Sequence, residues 1–170
     1  SGNTWQQSFN VDGAQQEEYF GDPQLSADGK SLAVAGFNYG GNDTGIIRLY
    51  SQDSKGEWHT NGSFTGSAAN DHMRGMSFSD DGRTVAIGAD GNSGGYVKVF
   101  TQSAAGESWS QVGSTITGSS GDRIGMSPSL SGDGNTLAVS AYGHNSGQGQ
   151  ARIYGFDSST SSWDLVDTFD

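Results

Sequence analysis

An internal repeat with a period of roughly 50 residues restricts the possible folds of this chain more than any other feature. Three segments align residue by residue: Leu25–Ala35, Phe78–Gly88 and Leu130–Ser140. Each contains an Asp-Gly pair between two apolar runs. This is a β-hairpin signal, because glycine tolerates the positive φ that the turn needs. The repeat therefore predicts short strands that recur along the whole chain.

Two further sets of residues keep the same spacing. Each repeat holds a glycine that opens a strand pattern and a tryptophan in its last strand. The sets are Gly45–Tyr50, Gly95–Phe100 and Gly149–Tyr154 for the glycine pattern, and Trp5, Trp58, Trp109 and Trp163 for tryptophan. Each repeat can thus form four strands, and a repeated four-stranded antiparallel unit is typical of β-propeller blades. A β-solenoid, whose coils are shorter, is the alternative.

We therefore predict an all-β protein made of three four-stranded antiparallel β-propeller blades plus one extra N-terminal strand of the tryptophan-bearing type, within Asn3–Val11. Residues 1–170 form one propeller segment, divided into an extra outer strand and lead-in (1–21), blade 1 (22–65), blade 2 (66–117) and blade 3 (118–170). A propeller ring needs about 4–8 blades. We therefore expect closure by other copies of this chain or by the rest of a larger propeller.

The charge of the chain limits its partners. Its formal net charge is −11 and its pI is near 4.3, so its surface repels phosphate backbones and anionic lipids. We expect no nucleic acid and no membrane among its partners. Cysteine is absent from the sequence, which excludes disulfides and thiolate metal sites.

The repeat unit resembles the FG-GAP-like, integrin-α-type propeller repeats. The resemblance rests on the Leu-Ser-x-Asp-Gly-x-x-Leu-Ala-Val pattern, as in Leu25–Val34, and on Tyr19-Phe20-Gly21, which keeps the Phe-Gly pair. It implies an extracellular or cell-surface scaffold for adhesion or for binding a glycan or an extracellular protein. Some members bind calcium through an Asp-x-Asp-x-Asp-Gly loop. This sequence has no such run, so we predict no cofactor and no structural metal, while weak calcium binding stays open.

One face of the predicted propeller gathers polar side chains. The loops before the first strand and after the second strand of each blade emerge together. They supply carboxylates, amides and tyrosines that could bind a hard cation or sugar hydroxyls. The alternative is that these residues only make turns. The candidate ligand-binding residues are Tyr39, Asn42, Asp43, Asp71, Asp90, Asn92, Asp122, Tyr142, His144 and Asn145.

No catalytic motif is visible in the sequence. The three histidines, His59, His72 and His144, fall at different repeat positions. The leading interpretation is therefore a non-enzymatic extracellular recognition, adhesion or assembly module, with an oligomeric propeller lectin as the alternative and a propeller enzyme as a third class. A basic residue recurs in the third strand as Arg48, Lys98 and Arg152. We interpret it as a partner for a nearby carboxylate rather than as an anion site.

Overall fold

The computed structural model describes residues 4, 6–14 and 18–170 as three antiparallel sheets, one from each repeat. Sheet 1 contains β1 (Phe20–Leu25), β2 (Ser31–Gly36), β3 (Ile46–Gln52) and β4 (Trp58–Thr65). Sheet 2 contains β5 (Met73–Phe78), β6 (Thr84–Ala89), β7 (Tyr96–Thr101), β8 (Ser110–Gln111) and β9 (Ile116–Thr117). Sheet 3 contains β10 (Ser129–Leu130), β11 (Thr136–Ala141), β12 (Gln150–Asp157) and β13 (Ser162–Phe169).

The outermost position of sheet 2 is divided between two short strands. Both β8 and β9 pair with β7, so sheet 2 has five strands where four were predicted. Gly113 lies between them with a φ of 72°, a left-handed conformation that interrupts a regular strand.

The Asp-Gly turns form as predicted. In the first turn Ser26 Oγ donates to Asp28 Oδ1 at 2.6 Å, and the same oxygen accepts the backbone N–H of Lys30 at 3.0 Å. Gly29 adopts a φ of 69°, which residues other than glycine rarely tolerate. The aspartate thus closes the hairpin through its side chain, and the turns at Asp81 and Asp133 repeat these bonds.

Consecutive sheets pack face to face through apolar residues. We call the face of each sheet that looks toward the next sheet its leading face, and the opposite one its trailing face. The interface between sheets 1 and 2 joins Ala33, Ala35, Ile47 and Leu49 to Met73, Met76, Val85, Ile87 and Ala89. The interface between sheets 2 and 3 joins Ala86, Val97, Val99 and Ile116 to Ile124, Leu130, Leu137, Val139, Ala141 and Trp163.

The repeated tryptophans join each sheet to the outer strand of the preceding one. Trp109 Nε1 donates to the carbonyl of Asn61 at 2.8 Å, and Trp163 Nε1 donates to the carbonyl of Val112 at 3.1 Å. The tryptophan is therefore an inter-sheet contact, which combines a large apolar surface with one satisfied donor.

The predicted N-terminal strand does not form a β-ladder. Residues 6–13 have no strand assignment, and Asn3 and Trp5 lie outside the described residues. The segment nevertheless lies on the trailing face of sheet 1, where Phe9 packs 5.5 Å from the ring of Tyr50 and 5.8 Å from that of Trp58. A ladder needs a neighbouring strand on that side, and the described chain supplies none there.

The basic residues of the third strands have structural partners. Arg48 pairs with buried Glu18, and Arg152 Nη2 donates to buried Asp122 at 2.6 Å. This confirms the interpretation of these two residues as carboxylate partners. Lys98 differs, because its Nζ lies 5.0 Å from the centre of the Tyr96 ring.

Candidate functional site

A cavity of about 300 Å³ opens between sheets 1, 2 and 3 on the face that holds the loops after each second strand. It contains two cations, two carboxylates, a histidine and two aromatic rings. Its lining residues are Phe37, Asp43, His72, Arg74, Asp90, Arg123 and Tyr142.

The repeat explains how residues far apart in sequence meet here. Phe37, Asp90 and Tyr142 each follow the second strand of their sheet directly, so they occupy equivalent positions. His72 and Arg123 are likewise equivalent, because the residue after each forms a parallel bridge to the glycine that precedes the third strand of the preceding sheet. Their φ angles are 53° and 55°. Positive φ costs energy for residues other than glycine, and such strain clusters at functional sites.

Asp90 is the central group of the cavity. Its side chain is 2% exposed, and its Oδ2 accepts hydrogen bonds from Arg74 Nη2 and from the Tyr142 hydroxyl, both at 2.9 Å. Its Oδ1 and Arg74 Nε are buried without any partner among the described residues. Because buried polar atoms are almost always hydrogen-bonded, an unpaired carboxylate oxygen beside a cavity indicates a place for a ligand or a water molecule.

Arg123 and Tyr142 extend this network toward the surface. Arg123 Nη1 donates to the Tyr142 hydroxyl at 3.3 Å, and its guanidinium lies 5.8 Å from the centre of the same ring. Arg123 is exposed and Tyr142 is 38% exposed. The cavity thus offers a guanidinium with open donors close to a carboxylate with an open acceptor, a pairing that can both bind a carbonyl oxygen and accept a proton.

Two of the predicted carboxylates, Asp71 and Asp122, hydrogen-bond to neighbouring loops and stabilise the fold. Burial acts to raise the pKa of Asp71, but hydrogen bonds from Asn92, from the N–H groups of Ala68 and Ser67 and from Tyr96 outweigh it and lower the pKa below its ordinary 3.8. Asp71 therefore ties together the loops on either side of it.

Asp122 holds the equivalent place in sheet 3. Burial acts to raise its pKa, yet hydrogen bonds from His144, from Arg152 and from the Ser119 N–H lower the pKa below 3.8. His144 Nδ1 lies 2.9 Å from Asp122 Oδ1.

The predicted residues therefore separate into groups. Asp43, Asp90 and Tyr142 line the cavity, and Asn92 lines a second cavity beside it. The remaining four contact their own repeat. The Tyr39 ring lies 5.9 Å from the Arg48 guanidinium, Asn42 accepts from Thr44, Asn145 donates to Gln148, and His144 faces Asp122.

Sequence reasoning missed Phe37, Arg74 and Arg123 and gave His72 little weight. The repeat hides Arg74, because this residue lies at a bulge in β5, where Gly75 pairs with β6 as Gly21 pairs with β2. A basic residue in a chain with only eight Lys and Arg was the available signal.

The described residues contain neither a cluster of metal-ligating side chains nor a membrane-spanning helix. Among them no three His, Cys, Asp or Glu side chains come close enough together to hold a metal ion. They also contain no helix long and apolar enough to cross a membrane.

The fold is similar to that of solved structures. A protein from Bacteroides uniformis assigned as a 6-phosphogluconolactonase matches at a TM-score of 0.58 and 18% identity, over 88% of this chain and 40% of that one. The periplasmic gluconolactonase of Pseudomonas aeruginosa matches at 0.57 and 16%, over 91% and 40%. TolB from Acinetobacter baumannii matches at 0.50 and 20%, over 86% and 31%. The chain thus spans less than half the length of these proteins.

At these identities the likeness establishes the fold, an all-β arrangement of antiparallel sheets of the β-propeller type. No protein-family model matches the chain, and no curated protein matches it. The resemblance to FG-GAP-like repeats is not addressed by these comparisons and stays a prediction.

The functional expectation drawn from the sequence is corrected by the same comparisons. We expected a non-enzymatic adhesion or assembly module, or a lectin. Two of the similar structures are instead named as lactonases, which are enzymes. The expectation rested on the absence of a local catalytic motif, but residues from different repeats, such as those around Asp90, can come together without forming such a motif.

Proposed function

We propose that the cavity around Asp90 hydrolyses a cyclic ester of a sugar acid. The observation that carries the proposal is the arrangement of Asp90, a residue that lines the 300 Å³ cavity, with one oxygen held by Arg74 and Tyr142 and the other buried without a partner among the described residues. The names of two similar structures, a 6-phosphogluconolactonase and a gluconolactonase, support the choice of a lactone.

Each group in the cavity has a role in this reaction. Asp90 Oδ1 accepts a proton from water as the water oxygen adds to the lactone carbonyl carbon. The Arg123 guanidinium stabilises the negative charge that develops on the carbonyl oxygen. When the ring C–O bond breaks, Asp90 returns the proton to the ring oxygen, and the product is the open-chain sugar acid. Arg74 and Tyr142 position Asp90 through Oδ2.

Hydrolysis of glucono-δ-lactone, followed by proton release in weak buffer, tests the proposal. We expect a rate above the spontaneous one, and a loss of about 100-fold in kcat for Asp90→Asn, because general-base catalysis contributes 10²–10⁴-fold. Asp164→Asn is the matched control, since Asp164 is an exposed carboxylate on β13. A rate equal to the spontaneous one for the unmodified chain would refute the proposal.

We further propose that the three sheets are three propeller blades and that residues 6–14 take the outer-strand position of a preceding blade. The supporting observation is the contact of Phe9 with Trp58. The tryptophans of the next two sheets make the corresponding contacts with the outer strand of the preceding sheet, Trp109 with Gly62 and Trp163 with Gly113. Further blades, from a longer chain or from other copies, would complete the ring.

We also propose a location outside the cytoplasm. One similar protein is named as periplasmic, and the acidic, cysteine-free composition is compatible with that compartment. Fractionation of the native host, with an antibody against this chain, tests the location.

A further inference from the structure

A second cavity of about 300 Å³ lies directly beside the first. His72 and Arg123 line both cavities, so the two are neighbours that share these residues. The second cavity is formed by the loops of sheets 2 and 3. Its other lining residues are Asn70, Gly91, Asn92, Ser93, Gly94, Ser120 and Gly121.

The walls of the second cavity are fixed by internal hydrogen bonds. Asn92 Nδ2 donates to Asp71 Oδ1 at 2.9 Å, and the Gly91 N–H donates to the carbonyl of Asp71 at 2.9 Å. The backbone of Asn70 donates to the carbonyl of Asn42 at 2.9 Å. A cavity with such walls is largely formed before a ligand arrives, which lowers the entropy cost of binding.

Apart from Arg123 and His72 at the boundary with the first cavity, the groups that remain open in this cavity are neutral. Within the described part of the chain, the Asn70 amide and the hydroxyls of Ser93 and Ser120 make no hydrogen bond. An amide and two hydroxyls supply both donors and acceptors without charge. Together with the Arg123 guanidinium at the boundary with the first cavity, these groups complement a sugar ring with several hydroxyl groups rather than an apolar group.

We propose that the second cavity is a subsite for a second sugar ring, so that the preferred substrate is the lactone of a disaccharide acid rather than of a single sugar. The inference rests on the proposed function, because it places the lactone ring in the Asp90 cavity and the attached sugar beyond His72 and Arg123. Each cavity lies at the lower end of the 300–1,000 Å³ usual for ligand pockets, which suits one ring in each.

Binding of the hydrolysis products tests this without depending on turnover. Isothermal titration calorimetry compares gluconate with lactobionate, which is gluconate carrying a galactosyl unit. We expect lactobionate to bind about 10-fold more tightly, a free-energy difference of about 1.4 kcal/mol. Ser120→Phe should fill the second cavity and reduce that ratio to about 1. Ser103→Phe, at an exposed serine away from both cavities, should keep the ratio near 10.

The outcomes separate the two proposals. A lactobionate preference that Ser120→Phe abolishes supports the subsite even if glucono-δ-lactone is not hydrolysed, in which case only the lactonase proposal fails. Equal affinities, absent lactobionate binding, or a preference unchanged by Ser120→Phe overturn the subsite. If Ser120→Phe does not fold, as judged by circular dichroism, Ser120→Leu serves as the smaller substitution with the same expected loss of preference.

Discussion

Three buried carboxylates, Glu18, Asp71 and Asp122, lie in the loops that lead into the first strand of each sheet. Each is followed by a residue with positive φ: Tyr19 at 48°, His72 at 53° and Arg123 at 55°. The hydrogen bonds of the carboxylates stabilise the surrounding loops and so maintain a backbone that would otherwise be unfavourable. In sheets 2 and 3 this strained position delivers His72 and Arg123 to the cavity.

Asp122 should make the free energy of unfolding depend on pH in the acidic range. Because its folded-state pKa lies below its ordinary 3.8, its contribution is present above that value and is lost as the pH falls through the folded-state pKa. Asp122→Asn leaves Arg152 without its buried partner and should cost about 3 kcal/mol at neutral pH. The difference from the unmodified chain should shrink below pH 4, as measured by urea unfolding across a pH series.

Asp164→Asn is again the control for this pH series, because Asp164 is exposed and, among the described residues, its side chain hydrogen-bonds only with Ser162. Its unfolding curve should stay within about 0.5 kcal/mol of the original at every pH, as is usual for surface substitutions. A constant difference between Asp122→Asn and the unmodified chain from pH 7 to pH 3 would contradict the assignment.

At the scale of elements, contact between neighbouring sheets depends on glycine opposite the tryptophan. A Cβ on Gly113 would lie 2.7 Å from Trp163 Cδ1, and Gly113 has a φ of 72°. Gly113→Ala should therefore lose about 1–2 kcal/mol for the left-handed backbone and about 1–3 kcal/mol more for overpacking. Thermal and urea unfolding measure the sum.

Gly106→Ala separates these two contributions. Gly106 has a φ of 87° but no atom within 4 Å of the added Cβ, so it should show the backbone cost alone. Equal losses for the two variants would mean that the Trp163 contact tolerates a methyl group and does not hold sheets 2 and 3 at a fixed distance.

The repeat predicted the hairpins and the apolar second strands, because Asp-Gly turns and runs such as Leu32–Ala35 act over a few residues. It could not predict the break between β8 and β9, which depends on one left-handed glycine, or the missing ladder of residues 6–13. The cavity was even harder to predict from the sequence. Arg74 reaches Asp90 within sheet 2, but the contact of Tyr142 with Asp90 depends on the packing of sheet 2 against sheet 3, and no spacing in the sequence encodes it.

At the scale of the whole molecule, the two end faces differ. The trailing face of sheet 1 is covered, since Val34, Ile46 and Tyr50 are only 6%, 4% and 6% exposed and Phe9 packs there. On the leading face of sheet 3, Ala151 is exposed and Phe169 is 57% exposed. The register places these two opposite each other, as Ile47 and Phe64 are in sheet 1. The equivalent faces of sheets 1 and 2 are buried against the next sheet.

For the isolated 170-residue chain, we expect a second copy to cover that face in solution in place of the further blade proposed above, with the leading face of sheet 3 packed against itself about a twofold axis. Exposed apolar patches usually mark interfaces, and a twofold contact needs only one self-complementary surface. Light scattering should give twice the 17.7 kDa of one chain. Phe169→Asp should reduce the mass to 17.7 kDa, because pairing would bury two unpaired carboxylates. Leu165→Asp should not, since Leu165 pairs with Tyr154, which packs toward sheet 2. A single-chain mass for the unmodified protein, or a mass unaffected by Phe169→Asp, would show that this face is not the contact.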